Sequence, residues 1–521
     1  MHEIITLQLG QQANYLGTHF WNTQESYFTY SSDQPESAVD HDIHFRPGLA
    51  PDGTETYMPR TVIYDLKGAF GTLRKINALY DVNDDQSTPA QALWQGQPTI
   101  HRSPPIPESP YTASLNAGLP PPRLHPAAVR YFSDYSRVFY HPRSVVPLSE
   151  HDATSTGTGT AVGPFAERGH AAGEDLFAAL DREHDLLDRD LRPFVEEADC
   201  MQAVQVFAGF DDAWGGFASR YVERVRDEYG KVGVWVWGLQ AGVGGVSRDK
   251  RLLRLANKAR AMTEVYKQAS IVVPLAVPER LPGRVQLDLG SQWHTSALLA
   301  AAVESATLPA RMKDPLKRET LGGMTEVLNT MGRQSVAGLQ MSFARPDSEA
   351  QNDSREKKLS EEDLSEGIRL DIRLAPSDQL DAHSRSNGFN RPRVFSQLIA
   401  SRGYGDEEAE DMEMDEAGRR VRRSSYEPVT KSYNTALRFP LLDSFPGIFR
   451  GDGDEPLSEA LNIATSISTD SSVSTKLRQL RSTVIRSISL EDRETLGNEL
   501  MEMADGYHEG WSSGSDFGED D

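Results

Sequence analysis

Several short stretches of this chain carry side chains able to do chemistry. Asp40-His41-Asp42-Ile43-His44 offers imidazoles and carboxylates, the donor types that hold zinc. It lies in a polar stretch with no second ligand pair nearby and reads as a solvated loop. Gly157-Thr158-Gly159-Thr160 and Gly242-Val243-Gly244-Gly245 imitate glycine-rich phosphate loops. Neither completes Gly-x-x-x-x-Gly-Lys-Ser/Thr, in which backbone N–H groups and a lysine hold phosphates, so both read as flexible connections. Gly10-Gln11-Gln12 ends an apolar strand, where a turn needs glycine whether or not a ligand is present. Trp235 and Trp237 share one face of a strand, and aromatic residues at that spacing belong to a core. Arg419, Arg420, Arg422 and Arg423 precede Ser424 and Ser425. They suit either a phosphorylation-controlled docking or anionic-membrane segment, or simple charge balance with the acidic run Asp406 to Glu416, the reading preferred here. Cys200 is the single cysteine, so neither an intramolecular disulfide nor a multi-thiolate zinc site is available.

The elements that position these groups alternate. Ile4 to Leu9 is an apolar strand, broken by Gly10 and followed by a helix through Tyr15, Leu16, His19 and Phe20. Arg60 to Leu66 is a second strand, residues 174 to 192 form a charged surface helix, and Met201 to Phe207 is a buried strand. A helix from about Phe217 to Tyr229 and a strand from Val232 to Trp237 follow. Strands alternating with helices predict a parallel α/β sheet. After about residue 250 the pattern becomes helical. Leu252 to Gln268 is amphipathic and packs on the sheet, with a partner helix as the other option. His294 to Leu308 is alanine-rich and apolar, stopped by Pro309, and belongs in an interior between two domains.

With 54 Lys+Arg against 77 Asp+Glu the formal charge of the 521-residue chain is −23. That balance opposes general nucleic-acid binding, which needs a basic surface. Only 38% of residues are hydrophobic and mean hydropathy is −0.51, so long stretches lie outside any core. Residues 85 to 128, 347 to 366, 376 to 392 and the end from Glu491 to Asp521 read as disordered insertions and an acidic tail. The N-terminus has neither the apolar core of a signal peptide nor the Arg-rich pattern of a transit peptide, so no cleaved leader is expected. The apolar runs are too short to span a bilayer. Any membrane association is expected to be peripheral.

Four ordered blocks carry a family resemblance. Ile4 through Gly17, continuing to Phe20-Trp21, resembles the opening of tubulins, where a Gly-Gln-Cys-Gly-Asn-Gln-Ile-Gly turn meets GTP phosphates. Tyr57 to Leu66 resembles the strand that tubulins end in Asp-Leu-Glu-Pro-Gly. Phe165 to Gly173 resembles the loop Asn-Trp-Ala-Lys-Gly-His-Tyr-Thr-Glu-Gly. Gln205-Val206-Phe207 and the helix through Val222 to Tyr229 flank the place of the glycine-rich phosphate loop. Together with Leu437-Arg438-Phe439-Pro440 to Phe449, these blocks are similar to the Misato family, in a fungal-type member.

The resemblance implies a tubulin/FtsZ-like α/β fold. A Rossmann-like parallel sheet domain would span 1–250 (insertion 85–128). A central helix and second α/β domain would span 251–450 (insertions 347–392 and 401–428), and a helical segment and disordered acidic tail 451–521. It also shows departures. Where tubulins have Gly-Gly-Gly-Thr-Gly-Ser-Gly, this chain has Ala208 to Ser219, with Asp211, Asp212 and Trp214 in the phosphate cradle. Two like charges about 4 Å apart repel by about 4 kcal/mol at an effective dielectric near 20, which opposes triphosphate binding. Lys67 stands where the magnesium-side Glu is expected, Trp293 replaces the guanine-reading Asn and Leu289 the stacking Tyr. Asp314 alone is near the hydrolysis motif's place. Gly10, Gln11, Gln12 and Asn14 are the remnant of the phosphate site.

The resemblance thus implies a pseudo-GTPase with no catalytic residues and no metal site. It implies a structural or adaptor protein for mitochondrial partitioning and mitochondrial DNA inheritance, with no cofactor expected and GTP as the one possible ligand. The alternatives are a GTP-binding, filament-forming GTPase, or an assembly factor that contacts tubulin or its chaperonin. Expected locations are the cytosolic face of the mitochondrion and the cytoplasm. Expected partners are the mitochondrial outer surface and tubulin, cytoskeletal or chaperonin proteins, without direct nucleic-acid contact.

Overall fold

The computed structural model describes residues 2–29, 35–49, 53, 55–73, 106–152, 165, 168–241, 246–278, 281–344, 368–369, 392–403, 428–451, 455–486 and 488–507. The glycine runs at 157–160 and 242–245, the acidic run 406–416, the basic cluster 419–423 and residues 85–105 and 508–521 lie outside them. So do 347–366 and all but the end of 376–392.

The first half runs β1 (Glu3–Leu9), α1 (Gln11–Glu25), β2 (Phe45–Leu49), β3 (Glu55–Pro59), β4 (Thr61–Lys67), α2 (Pro110–Asn116), β5 (Val145–Asp152), α3 (His170–His184), α4 (Arg192–Glu197), β6 (Met201–Gly209), α5 (Ala213–Glu228), β7 (Gly233–Gln240), α6 (Arg248–Gln268) and β8 (Ile271–Ala276). The second continues with α7 (Gln292–Ala306), α8 (Leu321–Leu328), β9 (Gly338–Ala344), β10 (Ile368–Arg369), β11 (Val394–Arg402), β12 (Val429–Thr435), β13 (Asn462–Asp470), α9 (Ser472–Val484) and α10 (Leu490–Asp505).

Six parallel strands form the first sheet in the order β5-β4-β1-β6-β7-β8. Alternate residues point to opposite faces of a strand. On β6, Phe207 faces the side covered by α1 and α7, while Val204 and Val206 face α5, α6, α9 and α10. Both faces are dry, which is why these strands read as nearly unbroken apolar runs. The second sheet has the order β10-β9-β13-β11-β12 and is antiparallel except for β11 with β12.

Between the sheets lies α7, buried from Ser296 to Ala306. Its alanines let a helix pack closely on both sides, as an all-round apolar helix must. Near its C-terminal end, Glu304 joins the two halves. Its Oε1 accepts from Gln24 Nε2 at 2.9 Å, Tyr27 Oη at 3.1 Å and Arg311 Nη2 at 3.0 Å, while Oε2 accepts from Arg402 Nη1 at the end of β11. Arg402 also donates to Tyr27 Oη at 2.6 Å and to the carbonyls of Leu437 and Arg438.

Several expectations change. Residues 110–116 of the expected 85–128 insertion are a helix, capped by Ser109 and held by Tyr111 Oη donating to Asp443 Oδ1 at 2.9 Å. The first half of the expected disordered tail is α10, which buries Leu496, Leu500 and Met503. Tyr507, just beyond it, accepts from Val336 N and donates to Val336 O at 2.9 Å. The helix expected at 174–192 stops at His184, where Asp185 adopts φ 45°, and a π-helical turn follows at Leu187–Leu191. Helical character after residue 250 is interrupted by six strands, the apolar β8 and the five strands of the second sheet, several of which carry many polar residues. Asp40–His44 is no solvated loop: its 3₁₀ turn buries His44, and His41 stacks on Phe28 with ring centroids 3.8 Å apart.

Candidate functional site

The carboxyl ends of β1, β6 and β7 open into one cavity of about 440 Å³, lined also by α7 and α6. Ligand sites in parallel sheets belong at such strand ends. Gly10 ends β1 with φ 87°, a conformation that favours glycine. A Cβ there would meet the Trp214 indole at 2.5 Å. The indole therefore sits on the first turn, wedged edge-on against Phe165 and Phe217 at centroid distances of 5.3 and 5.5 Å. Gln11 and Gln12 line the cavity from the start of α1.

The junction from β6 to α5 is built by two carboxylates. Asp212 caps α5, its Oδ1 accepting from Trp214 N at 2.8 Å. A helix N-terminus attracts anions because its first N–H groups lack partners; here a side chain of the protein takes that place. The aspartate cap moves the helix start to Ala213, four residues earlier than the sequence predicts, because Gly215 and Gly216 pack into α5 rather than forming a loop.

Asp211 Oδ2 accepts from Ala241 N at 3.0 Å, whereas Oδ1 has no hydrogen-bond partner. Burial raises the Asp211 pKa, opposed by the charges of Arg254 and Lys258 on α6. Burial and then the Asp211 charge push Asp212 up to about 8. Lys258 is lowered to about 8 by its own burial, partly offset by Asp211. The repulsion expected of two carboxylates in the cradle is thus offset by neighbouring cations. One carboxyl holds its proton at neutral pH, and two cations face the other.

Of the residues named from sequence, Asn14 is buried away from the cavity lining and donates to Asp65 Oδ2 at 2.7 Å. Burial pushes Asp65 up to about 7. Lys67 is exposed at the end of β4. Leu289 lines the cavity mouth at 61% exposure. Trp293 does not line the cavity: it is buried, donating from Nε1 to Ser444 O at 3.1 Å and accepting from His19 Nε2 at 3.0 Å. One position along a helix is a rotation of about 100°, and Gln292 and Ser296 line the cavity instead. Asp314 lies by Tyr27, past the C-terminal end of α1, its Oδ1 accepting from Leu316 N at 3.0 Å.

Sequence reasoning missed Gln240, Gln292, Arg254 and Lys258, which topology alone brings to the cavity. It also missed His170, whose ring lies 3.4 Å from Glu174 and 3.6 Å from Glu264, the one grouping of three metal-capable side chains among the described residues. Arg220 already holds Glu174 at 2.5 Å, an ion pair that ties α5 to α3. The signal of the grouping was the i, i+4 spacing of His170 and Glu174.

A six-stranded parallel sheet with a central helix leading to a second sheet, and a cavity over the first strand's glycine turn, define a tubulin-like protein. The comparisons agree: residues 2–117 match the Misato Segment II tubulin-like domain and residues 121–312 match a tubulin domain. Protein dml-1 of Neurospora crassa is 60% identical over the whole of both chains, and Protein dml1 of Aspergillus niger 44% identical, again over the whole of both. Protein misato homolog 1 of Bos taurus is 29% identical over 66% of this chain and 65% of its own. The chain belongs to the Misato family.

Proposed function

We propose that this protein is a non-catalytic, tubulin-like structural or adaptor protein that acts in partitioning mitochondria and in the inheritance of mitochondrial DNA. The family likeness supports the cellular role. The single observation that carries the loss of catalysis is the occupation of the phosphate end by the protein itself: Asp212 caps α5 and the Trp214 indole lies on Gly10. A triphosphate seated there would have to displace both. On this reading Gly10, Gln11 and Gln12 are structural survivors of an ancestral phosphate site, and the protein needs no nucleotide cofactor.

Such a protein works through its surfaces, by peripheral association with the cytosolic face of the mitochondrion and by contact with tubulin, other cytoskeletal proteins or a chaperonin. Among the described residues no helix is long and apolar enough to cross a membrane, which fits a peripheral mode.

The test is complementation. Cells lacking the gene are given the wild-type chain or a Gln11→Ala/Gln12→Ala variant, and mitochondrial distribution and mitochondrial DNA retention are scored through division. The expected result is a partitioning defect in the null cells, rescued equally by both chains. Normal partitioning in the null cells contradicts the cellular role, and rescue by the wild type alone contradicts the nucleotide-independent reading.

A further inference from the structure

Away from the cavity lining, the start of α3 and the end of α6 bring His170, Glu174 and Glu264 together, one ligand-capable atom of each lying within 4.8 Å of the others. The scaffold around them is tight. A Cβ on Gly216 of α5 would meet His170 O at 2.0 Å, so α3 and α5 touch backbone to backbone, and Asn257 Oδ1 of α6 accepts from His170 N at 2.9 Å. His170 is 1% exposed, yet its Nδ1 has no hydrogen-bond partner, and neither has the buried Oε2 of Glu264. Buried polar atoms are nearly always paired. An imidazolium would donate to both carboxylates, which lie 3.4 and 3.6 Å from its two nitrogens; here neither carboxylate receives such a bond. Ser219 spends its own proton on Gly215 O at 2.8 Å, so its oxygen, 3.4 Å from His170 Nε2, is the acceptor there. That assigns the ring proton to Nε2, and Nδ1 turns a bare lone pair toward Glu174 Oε2 at 3.4 Å.

Two lone-pair atoms facing each other repel unless a cation lies between them. Zinc bonds of about 2.0–2.2 Å to imidazole nitrogen and carboxylate oxygen span a 3.4 Å separation at close to a tetrahedral angle. Arg220 does not fill that place: its Nε and Nη2 both donate to Glu174 Oε1, at 2.9 and 2.5 Å, and its Nη1 to Glu223. We infer that His170, Glu174 and Glu264 form a site for a divalent transition metal ion of the zinc type. His170 Nδ1 and Glu174 Oε2 are the first two ligands, a Glu264 oxygen is the third and water the fourth. The Nε2–H on Ser219 fixes the ring from behind, as the second nitrogen of a metal-bound histidine usually does. Imidazole selects such an ion over magnesium and calcium, which take oxygen ligands, and the two carboxylates balance its charge. The side chains of Glu174 and Glu264 are 22% and 30% exposed, which gives the ion a way in. Once bound, it clasps α3 to α6 across α5. This site is separate from the magnesium place, where Lys67 stands, and does not depend on the closed phosphate end.

The experiment uses the purified full chain, stripped with a chelator and titrated with zinc chloride, with magnesium chloride as the comparison. Binding is read by calorimetry and by the shift in melting temperature. The companion variant is Glu264→Gln, which keeps the side-chain volume and replaces an anionic ligand with a neutral amide. Zinc is expected to fill one tight site per chain and to raise the melting temperature, whereas magnesium does neither. Glu264→Gln is expected to melt no lower than wild type without metal, yet to hold zinc at least about tenfold more weakly. Cobalt(II) on the wild type alone reads the coordination directly: the intense visible bands of a four-coordinate ion are expected. Absence of zinc binding at submillimolar concentration, binding unchanged in Glu264→Gln, magnesium stabilising as much as zinc, or only the weak cobalt bands of a six-coordinate ion overturns the inference. Each of those results leaves the proposed function standing.

Discussion

The helices α1 and α7 run side by side, and their two ends have opposite fates. At the N-terminal ends, Gln11, Gln12 and Gln292 border a cavity in which Asp211 Oδ1 is unpartnered and Asp212 is pushed up to about 8. At the C-terminal ends, Gln24, Tyr27 and Glu304 meet Arg311 and Arg402, and both Glu304 oxygens are bonded. Arg402 further lies over the rings of Tyr27 and Phe439 at 5.6 and 5.5 Å, and Arg311 over Phe20 at 5.3 Å. Both regions bury charge. Where partners are complete, the charge fixes how the second sheet sits on the first. Where they are incomplete, Asp212 caps α5 and the Trp214 indole lies on the β1 turn, with space left beside them.

The largest effect is expected at the complete end. Glu304→Ala leaves two buried guanidinium groups without their shared carboxylate, and removing one partner of a buried pair costs about 3–5 kcal/mol. Urea denaturation should show that loss; a change below about 1 kcal/mol would mean the cluster behaves like a surface ion pair. Next comes Trp214→Ala, which removes the plug from a wall rather than from the deep core. A loss of about 3 kcal/mol is expected, at the lower end for a buried tryptophan. The comparison sharpens if this variant, alone of the two, also alters retention of GTP.

A third effect depends on pH. Asp212 titrates near 8 in the folded chain and near 3.9 when unfolded. Its contribution to stability is therefore full at low pH and is lost as pH rises through that window. Asp212→Asn keeps a good helix cap and removes the ionisation. The variant should gain stability relative to wild type as pH goes from 5 to 8, read as the difference between their urea midpoints. Lowered histidines such as His19, near 3, and His41, near 4, pull the other way below their unfolded pKa. They are common to both chains and cancel in that difference. A difference independent of pH would show that Asp212 is ionised throughout.

Four of the six strands of the first sheet were legible in the sequence because strands buried on both faces leave continuous apolar runs, as in Ile4 to Leu9 and Met201 to Phe207; the two edge strands, β5 and β8, were not. The second sheet was not, because strands such as β12, with the sequence Val-Thr-Lys-Ser-Tyr-Asn-Thr, lie at a half-exposed edge and carry few apolar residues. In the cavity, Gly10 and the Asp211-Asp212-Ala213-Trp214 stretch could be singled out locally. The facing of α7 could not, since an error of one residue exchanges Trp293 for Gln292. Nor could the compensation by Arg254 and Lys258, which come from a helix some forty residues further along. The Glu304 cluster draws on positions 24, 27, 304, 311 and 402, a set that only the folded chain assembles.

The most direct measurement is retention of labelled GTP by the purified full chain in the presence of magnesium, followed by assay of released phosphate. With Asp212 and Trp214 in place, the expected result is no stoichiometric nucleotide after desalting and no phosphate above background. One GTP held per chain, with its terminal phosphate released over time, would contradict the account.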